Sequence, residues 1–120
     1  MLAVTRHRVI EADARSFREQ AGEAVAVLQA EKGFRSARVA RALDDPTLWV
    51  ITTEWRDVGS YRRALSAYDV RVAAVPLLAT ALDEPTAFET LLVRDADETS
   101  SAPSRRAADA DQVGLGEASM

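Results

Sequence analysis

The spacing of apolar and polar positions changes period repeatedly along the first 94 residues. LAVTRHRVI (2–10) alternates, with Leu2, Val4, Arg6 and Arg8 on one side and Ala3, Thr5, His7 and Val9 on the other, which predicts a strand. From Asp13, an N-cap residue type, to about Ala30 the period becomes helical. Phe17, Ala21, Ala24, Val25 and Leu28 form one apolar stripe, Arg18, Glu19 and Glu23 face away, and Lys32-Gly33 closes the helix. FRSARVARAL (34–43) alternates again, with Phe34, Ser36, Arg38 and Ala40 opposite Arg35, Ala37, Val39 and Arg41. The turn chemistry of Asp44-Asp45-Pro46-Thr47 leads into LWVITTEW (48–55), so these two strands are expected to form an antiparallel hairpin.

Asp57 is placed to cap a second helix, whose stripe is Tyr61, Ala64, Leu65 and Tyr68 at i, i+3, i+4 and i+7. A further helical segment over about 72–82 carries Val72, Val75, Leu78 and Leu82 and is interrupted or restarted at Pro76. After the turn Asp83-Glu84-Pro85, TAFETLLV (86–93) reads as the last strand. The order βαββαβ predicts an α+β fold, a ferredoxin-like sandwich with helices on one face of an antiparallel sheet. In strand 48–55, Leu48, Val50 and Thr52 lie on one face and Trp49, Ile51, Thr53 and Trp55 on the other, so both faces are substantially apolar. A solvated face would be polar. The face without helices is therefore expected to be covered by a second copy of the chain, sheet against sheet.

Charge separates the body from the tail. Residues 1–94 hold thirteen Lys/Arg and thirteen Asp/Glu, whereas 95–120 hold two Arg against six acids. A neutral body without a basic face argues against nucleic acid. The tail has almost no large apolar residues and is expected to be disordered, leaving 1–94 as the folded domain. No apolar run is long enough for a membrane span, and Arg6, His7 and Arg8 stand where a signal peptide would be apolar. The chain has no cysteine, which removes disulfides, thiolate catalysis and zinc–sulfur sites and fits a cytoplasmic location.

TEWRDVGSYRRAL, the apolar 72–82 segment and the closing AFETL resemble the antibiotic biosynthesis monooxygenase family over about residues 1–93. The resemblance implies a dimeric α+β barrel with a ligand cleft between sheet and helices. The activity it implies is oxidation of an aromatic or polyketide-like small molecule by O2 with no cofactor and no metal. The family also has a haem-degrading branch, which typically needs an Asn on the first strand, a Trp in the second helix and a His after it. This chain has no Asn, Thr5 and Ala64 stand at the first two positions, and 69–82 lacks His, so that activity is not expected. A His frequent near the end of the second helix is also missing, with Tyr68 in that neighbourhood.

Candidate site residues carry a packing reading beside the functional one. His7, the single histidine, is a candidate proton acceptor, with Thr5 on its strand face pointing to either cleft or dimer. Tyr61 and Tyr68, with Ala64 and Leu65 between them, would open a slot for a planar ring whose oxyanion their hydroxyls orient. Trp55 leads into that face, and Arg71 is placed to reach the cleft mouth and hold an anion. As packing, the same aromatics fill a small core. Trp49 belongs equally well to the dimer or the sheet core. Glu54, Asp57 and Asp69 lack a paired acid/base spacing, and there is no glycine-rich phosphate loop, serine-nucleophile motif or metal cluster. Three functions stay open: a cofactor-independent monooxygenase, a non-catalytic homodimer that binds a hydrophobic aromatic molecule or a partner, or a cyclase-like activity without O2.

Overall fold

Alternation along the first strand, β1 (Leu2–Arg8), buries Ala3, Thr5 and His7 and leaves Leu2, Arg6 and Arg8 exposed. The structure is a computed structural model and describes residues 1–97 and 99–104. The hairpin forms as expected between β2 (Phe34–Arg41) and β3 (Leu48–Trp55). β3 pairs antiparallel with β1 as well, and a short β4 (Ala87–Phe88) closes the sheet on the far side of β1. The resulting order β2-β3-β1-β4 is that of a ferredoxin-like sheet.

The hairpin register contains one irregularity that strict alternation misses. Phe34 pairs with Trp55 while Ser36 pairs with Glu54, so Arg35 is an extra residue in β2. That bulge changes parity. Phe34 therefore lies not on the side of Ser36, Arg38 and Ala40 but on the helix side, where its ring meets Trp55 edge-on at 5.4 Å.

The first long helix, α1 (Ala14–Gln29), buries Phe17, Ala21, Ala24 and Leu28, as its stripe predicts. Asp13 occupies its N-cap position but makes no side-chain cap bond, because residues 11–13 already form a 3-10 turn that leads into the helix. The next helix, α2 (Val58–Ser66), is capped as expected: Asp57 Oδ1 accepts from the Ser60 N–H at 2.8 Å.

α2 does not reach Tyr68. Ala67 is extended (φ −68, ψ 143), and a new helix, α3 (Tyr68–Ala73), starts on a different face, followed by α4 (Val75–Leu78) with Pro76 in its first turn. The break has a packing reason. A continuous helix would carry the buried stripe from Ala64 on to Tyr68 and Arg71, placing a guanidinium against the core. After the break, Val70 and Ala74 are buried in the core instead, beside Trp55 and Leu28.

Two apolar clusters hold the helices to the sheet. One gathers Ala24, Leu28, Trp55, Ala64, Val70 and Ala74; the other gathers Val9, Phe17, Ala21, Trp49 and Ile51. The expected last strand is divided. Ala87–Phe88 joins the sheet, with Thr86 O accepting from Val4 N at 2.7 Å. A second compact unit begins at Glu89, and in it β5 (Leu92–Arg94) pairs with β6 (Thr99–Ser101). This hairpin spans the boundary expected at residue 94. The disorder expected of the tail concerns, at Glu98 and over 105–120, positions outside the described residues. Among the described residues no helix is long and apolar enough to cross a membrane.

Candidate functional site

The residues singled out from the sequence fall into three places rather than one cleft. Thr5 and His7 are buried on β1. Trp55, Tyr61, Ala64 and Leu65 pack together in the first apolar cluster. Tyr68 and Arg71 lie on the outside of α3, Tyr68 with 76% of its surface exposed. The slot expected between two tyrosines is therefore absent, because the break at Ala67 turns Tyr68 away from Tyr61.

Around Trp55 the space is filled. The residue is 0% exposed, Tyr61 packs on it at 5.6 Å between ring centroids, and its Nε1 donates to Thr53 Oγ1 at 2.8 Å. Burial also pushes the Tyr61 phenol above its usual value of 10.0, so it stays a neutral hydrogen-bonding group.

His7 is 1% exposed, and threonine hydroxyls engage both ring nitrogens, Thr80 at Nδ1 (3.1 Å) and Thr5 at Nε2 (2.9 Å). Thr80 Oγ1 also donates to the Leu77 carbonyl at 2.7 Å, which uses its single proton. Thr80 must then accept from Nδ1–H, and Nε2 accepts from the Thr5 hydroxyl. The hydrogen-bond network thus assigns one tautomer.

Burial lowers the His7 pKa from 6.5. The unfolded chain takes up a proton near 6.5, and the folded chain only at lower pH. The contribution to stability is therefore full above about 6.5 and is lost as pH falls from there through the folded value. Thermal melts between about pH 8 and about pH 5 should show a falling acid limb, flattened in His7→Gln; equal limbs in both proteins would contradict this. Asp57, held down to about 2 chiefly by the Ser60 N–H, titrates well below that window.

A concave surface lies elsewhere, between α1 and the edge strand β2. It is an open groove of about 620 Å³, within the range of small-molecule sites. Ala14, Gly22, Val39, Ala40 and Trp49 supply its apolar wall. Arg15, Arg18 and Arg41 are its charged lining. Arg41 stands opposite Trp49 in the hairpin, with its guanidinium 5.2 Å from the centre of the indole ring. Behind this wall Trp49 meets Phe17 and Phe17 meets His7, each at 5.2 Å, so a row of rings connects the groove to the buried histidine. Gly22 keeps the helix side open, since a Cβ built there would have no atom within 4 Å.

Sequence reasoning named Trp49 without a site and passed over Arg15, Arg18 and Gly22. The available signal was the cross-strand pairing of Arg41 with Trp49, which follows from the hairpin register. Among the described residues no group of three His, Cys, Asp or Glu side chains is placed to hold a metal ion.

A four-stranded antiparallel sheet in this order, with its helices on one face, defines the class of small ferredoxin-like α+β proteins. The chain belongs to the antibiotic biosynthesis monooxygenase family, whose sequence profile matches residues 1–75. Proteins of that family typically form dimers. Among curated proteins no sequence matches this one. Among solved structures, it is similar to SnoaB, a cofactor-independent oxygenase from Streptomyces nogalater, at 28% identity over 75% of this chain and 94% of that one, with a TM-score of 0.59. A conserved protein from Methanosarcina mazei shares the fold at 22% identity, covering 72% and 84% of the two chains, with a TM-score of 0.59. A Mycobacterium tuberculosis protein shares it at 13% identity, covering 89% and 96%, with a TM-score of 0.57.

Proposed function

We propose that the protein is a cofactor-independent monooxygenase-like enzyme that acts with O2 on an aromatic or polyketide-like molecule, as a cytoplasmic homodimer. The observation that carries this reading is the groove under α1, apolar on its walls and arginine-lined, in a chain of the monooxygenase family. Oxidation of an electron-rich phenol asks little of the protein: favour the anion, hold it away from bulk water and admit O2. For an anthrone, the methylene carbon loses two hydrogens and gains one oxygen atom as a carbonyl. The second oxygen atom leaves as water. All four electrons come from the substrate, so no external reductant is needed. The arginines lining the groove favour the phenolate. Neither Thr5 nor His7 lines the groove, and Thr5 donates to His7 Nε2, so the proton acceptor expected in His7 has no direct contact with a substrate held there. Tyr68 and Arg71, on the outside of α3, have no part in the groove.

Incubation of the metal-free protein with an anthrone under isotopically heavy O2 tests this reading. One heavy oxygen atom in the quinone is the expected product. A ligand that binds but is recovered unchanged would instead leave a homodimeric binding module.

The open sheet face supports the dimer. Leu2, Val4, Leu48, Val50 and Phe88 lie on it, with Phe88 paired to Leu2 and Val50 to Arg6. Sedimentation at twice the 13.0 kDa chain mass is expected. Val50→Arg should shift the protein to monomer, because it sets a second cation directly opposite Arg6 at the centre of that face; a native monomer would contradict the dimer.

A further inference from the structure

The charges lining the groove are all of one sign. Ion pairs among the described residues join Arg6 to Glu84, Arg8 to Asp45 and Arg56 to Asp57. Arg15, Arg18 and Arg41 take part in none of them, and no Asp or Glu lines the groove. Arg15 and Arg18 are three residues apart on α1, where like charges repel. Arg41 contributes from the opposite wall. Its guanidinium lies over the Trp49 indole, 5.2 Å from the ring centre, and a guanidinium offers a planar fork of N–H donors that matches a two-oxygen anion. Trp49 itself is 6% exposed, and its Nε1 is buried without a hydrogen-bond partner among the described residues. The remaining lining is apolar, so a simple inorganic anion would leave most of the surface unmatched.

We propose that the groove takes an anionic aromatic: a planar apolar body beside Val39 and Trp49, bearing a carboxylate held by Arg41 and by Arg15 or Arg18. The proposal rests on reading the groove as the substrate site and narrows that reading to a charge class. Carboxylate pairing with arginine supplies both orientation and discrimination, because the neutral analogue leaves the guanidinium groups without an acceptor.

Calorimetric titration of the full chain with hydroxynaphthoate, and with its neutral methyl ester, separates the two claims. The acid should bind about tenfold or more tightly than the ester. Added salt should weaken the acid and spare the ester. Arg41→Gln should bring the acid down towards the ester while the melting temperature holds. Gly22→Phe, which fills the groove from a position with room for a side chain, should abolish binding of both. Equal binding of acid and ester, lost in Gly22→Phe, would overturn the charge inference and keep the groove. No binding of either ligand, or binding that survives Gly22→Phe, would overturn both.

Discussion

Trp55→Ala should lower stability by about 3–5 kcal/mol, the range for deletion of a large buried aromatic. The indole is fully buried, with Phe34 edge-on at 5.4 Å and Tyr61 at 5.6 Å. Removing it empties the space that Leu28, Ala64, Val70 and Ala74 close around and leaves Thr53 Oγ1 without the indole donor. Against a native stability of about 5–15 kcal/mol, that loss is a large fraction of the total. Trp55→Phe keeps most of the ring and loses the hydrogen bond, so it should cost much less. Urea titration of the three proteins checks the order. A Trp55→Ala loss below about 1 kcal/mol would mean that the core is not built around this residue.

The second large effect is expected at Gly33, for a different reason. Its φ is +92°, a conformation that side chains rarely adopt, and a Cβ there would overlap the Cβ and Oγ of Ser60. Ser60 cannot retreat. It is 1% exposed, its N–H is held by Asp57, and Arg56 donates to its Oγ at 3.3 Å. Arg56 N in turn donates to Gly33 O at 2.8 Å, tying the loop to the start of α2. Gly33→Ala should therefore cost about 1–3 kcal/mol in backbone strain and a similar amount in overlap. Adding Ser60→Gly should recover the overlap but not the strain. Thermal melts of the single and double variants measure both parts, and a native melting temperature in Gly33→Ala would contradict the close approach.

Much of the fold was legible because local and long-range preferences agree. Parity along β1 put Thr5 and His7 on one side of the strand, the side that the structure buries, Asp57 capped α2, and the order of elements predicted the sheet. The misreadings occur where tertiary packing overrides a local pattern. Nothing in FRSARVARAL marks Arg35 as a bulge, yet that bulge brings Phe34 to Trp55. The stripe through Tyr68 was regular, yet burying Val70 and Ala74 required breaking it at Ala67. The two-residue β4 shows the same limit, since a β-forming run does not specify its partner.

The candidate site was less legible than the fold. A groove is a property of the distance between α1 and β2, and a stripe of residues reports which face is buried without reporting the empty volume beside it. Arg41 and Trp49 were readable as a cross-strand pair. That Arg15, Arg18 and Gly22 line the same space depends on how α1 lies across the sheet. His7 was singled out as the single histidine, with Thr5 on its strand face, but its second threonine partner, Thr80, lies two residues beyond α4, which no sequence spacing connects to β1.

Oxygen uptake by the metal-free protein with anthrone, naphthol and quinol substrates, measured beside Gly22→Phe, is the most direct test of the groove as an oxygenase site. The variant replaces an interior helix glycine at a position with open space, so its stability should be retained or raised by up to about 1 kcal/mol. The expected result is protein-dependent uptake with quinone formation in the native protein and loss of at least about tenfold in the variant, both molecules being equally folded. Uptake that is unchanged in Gly22→Phe would contradict the groove as the place of reaction, and no uptake on any of these substrates would contradict the oxygenase itself.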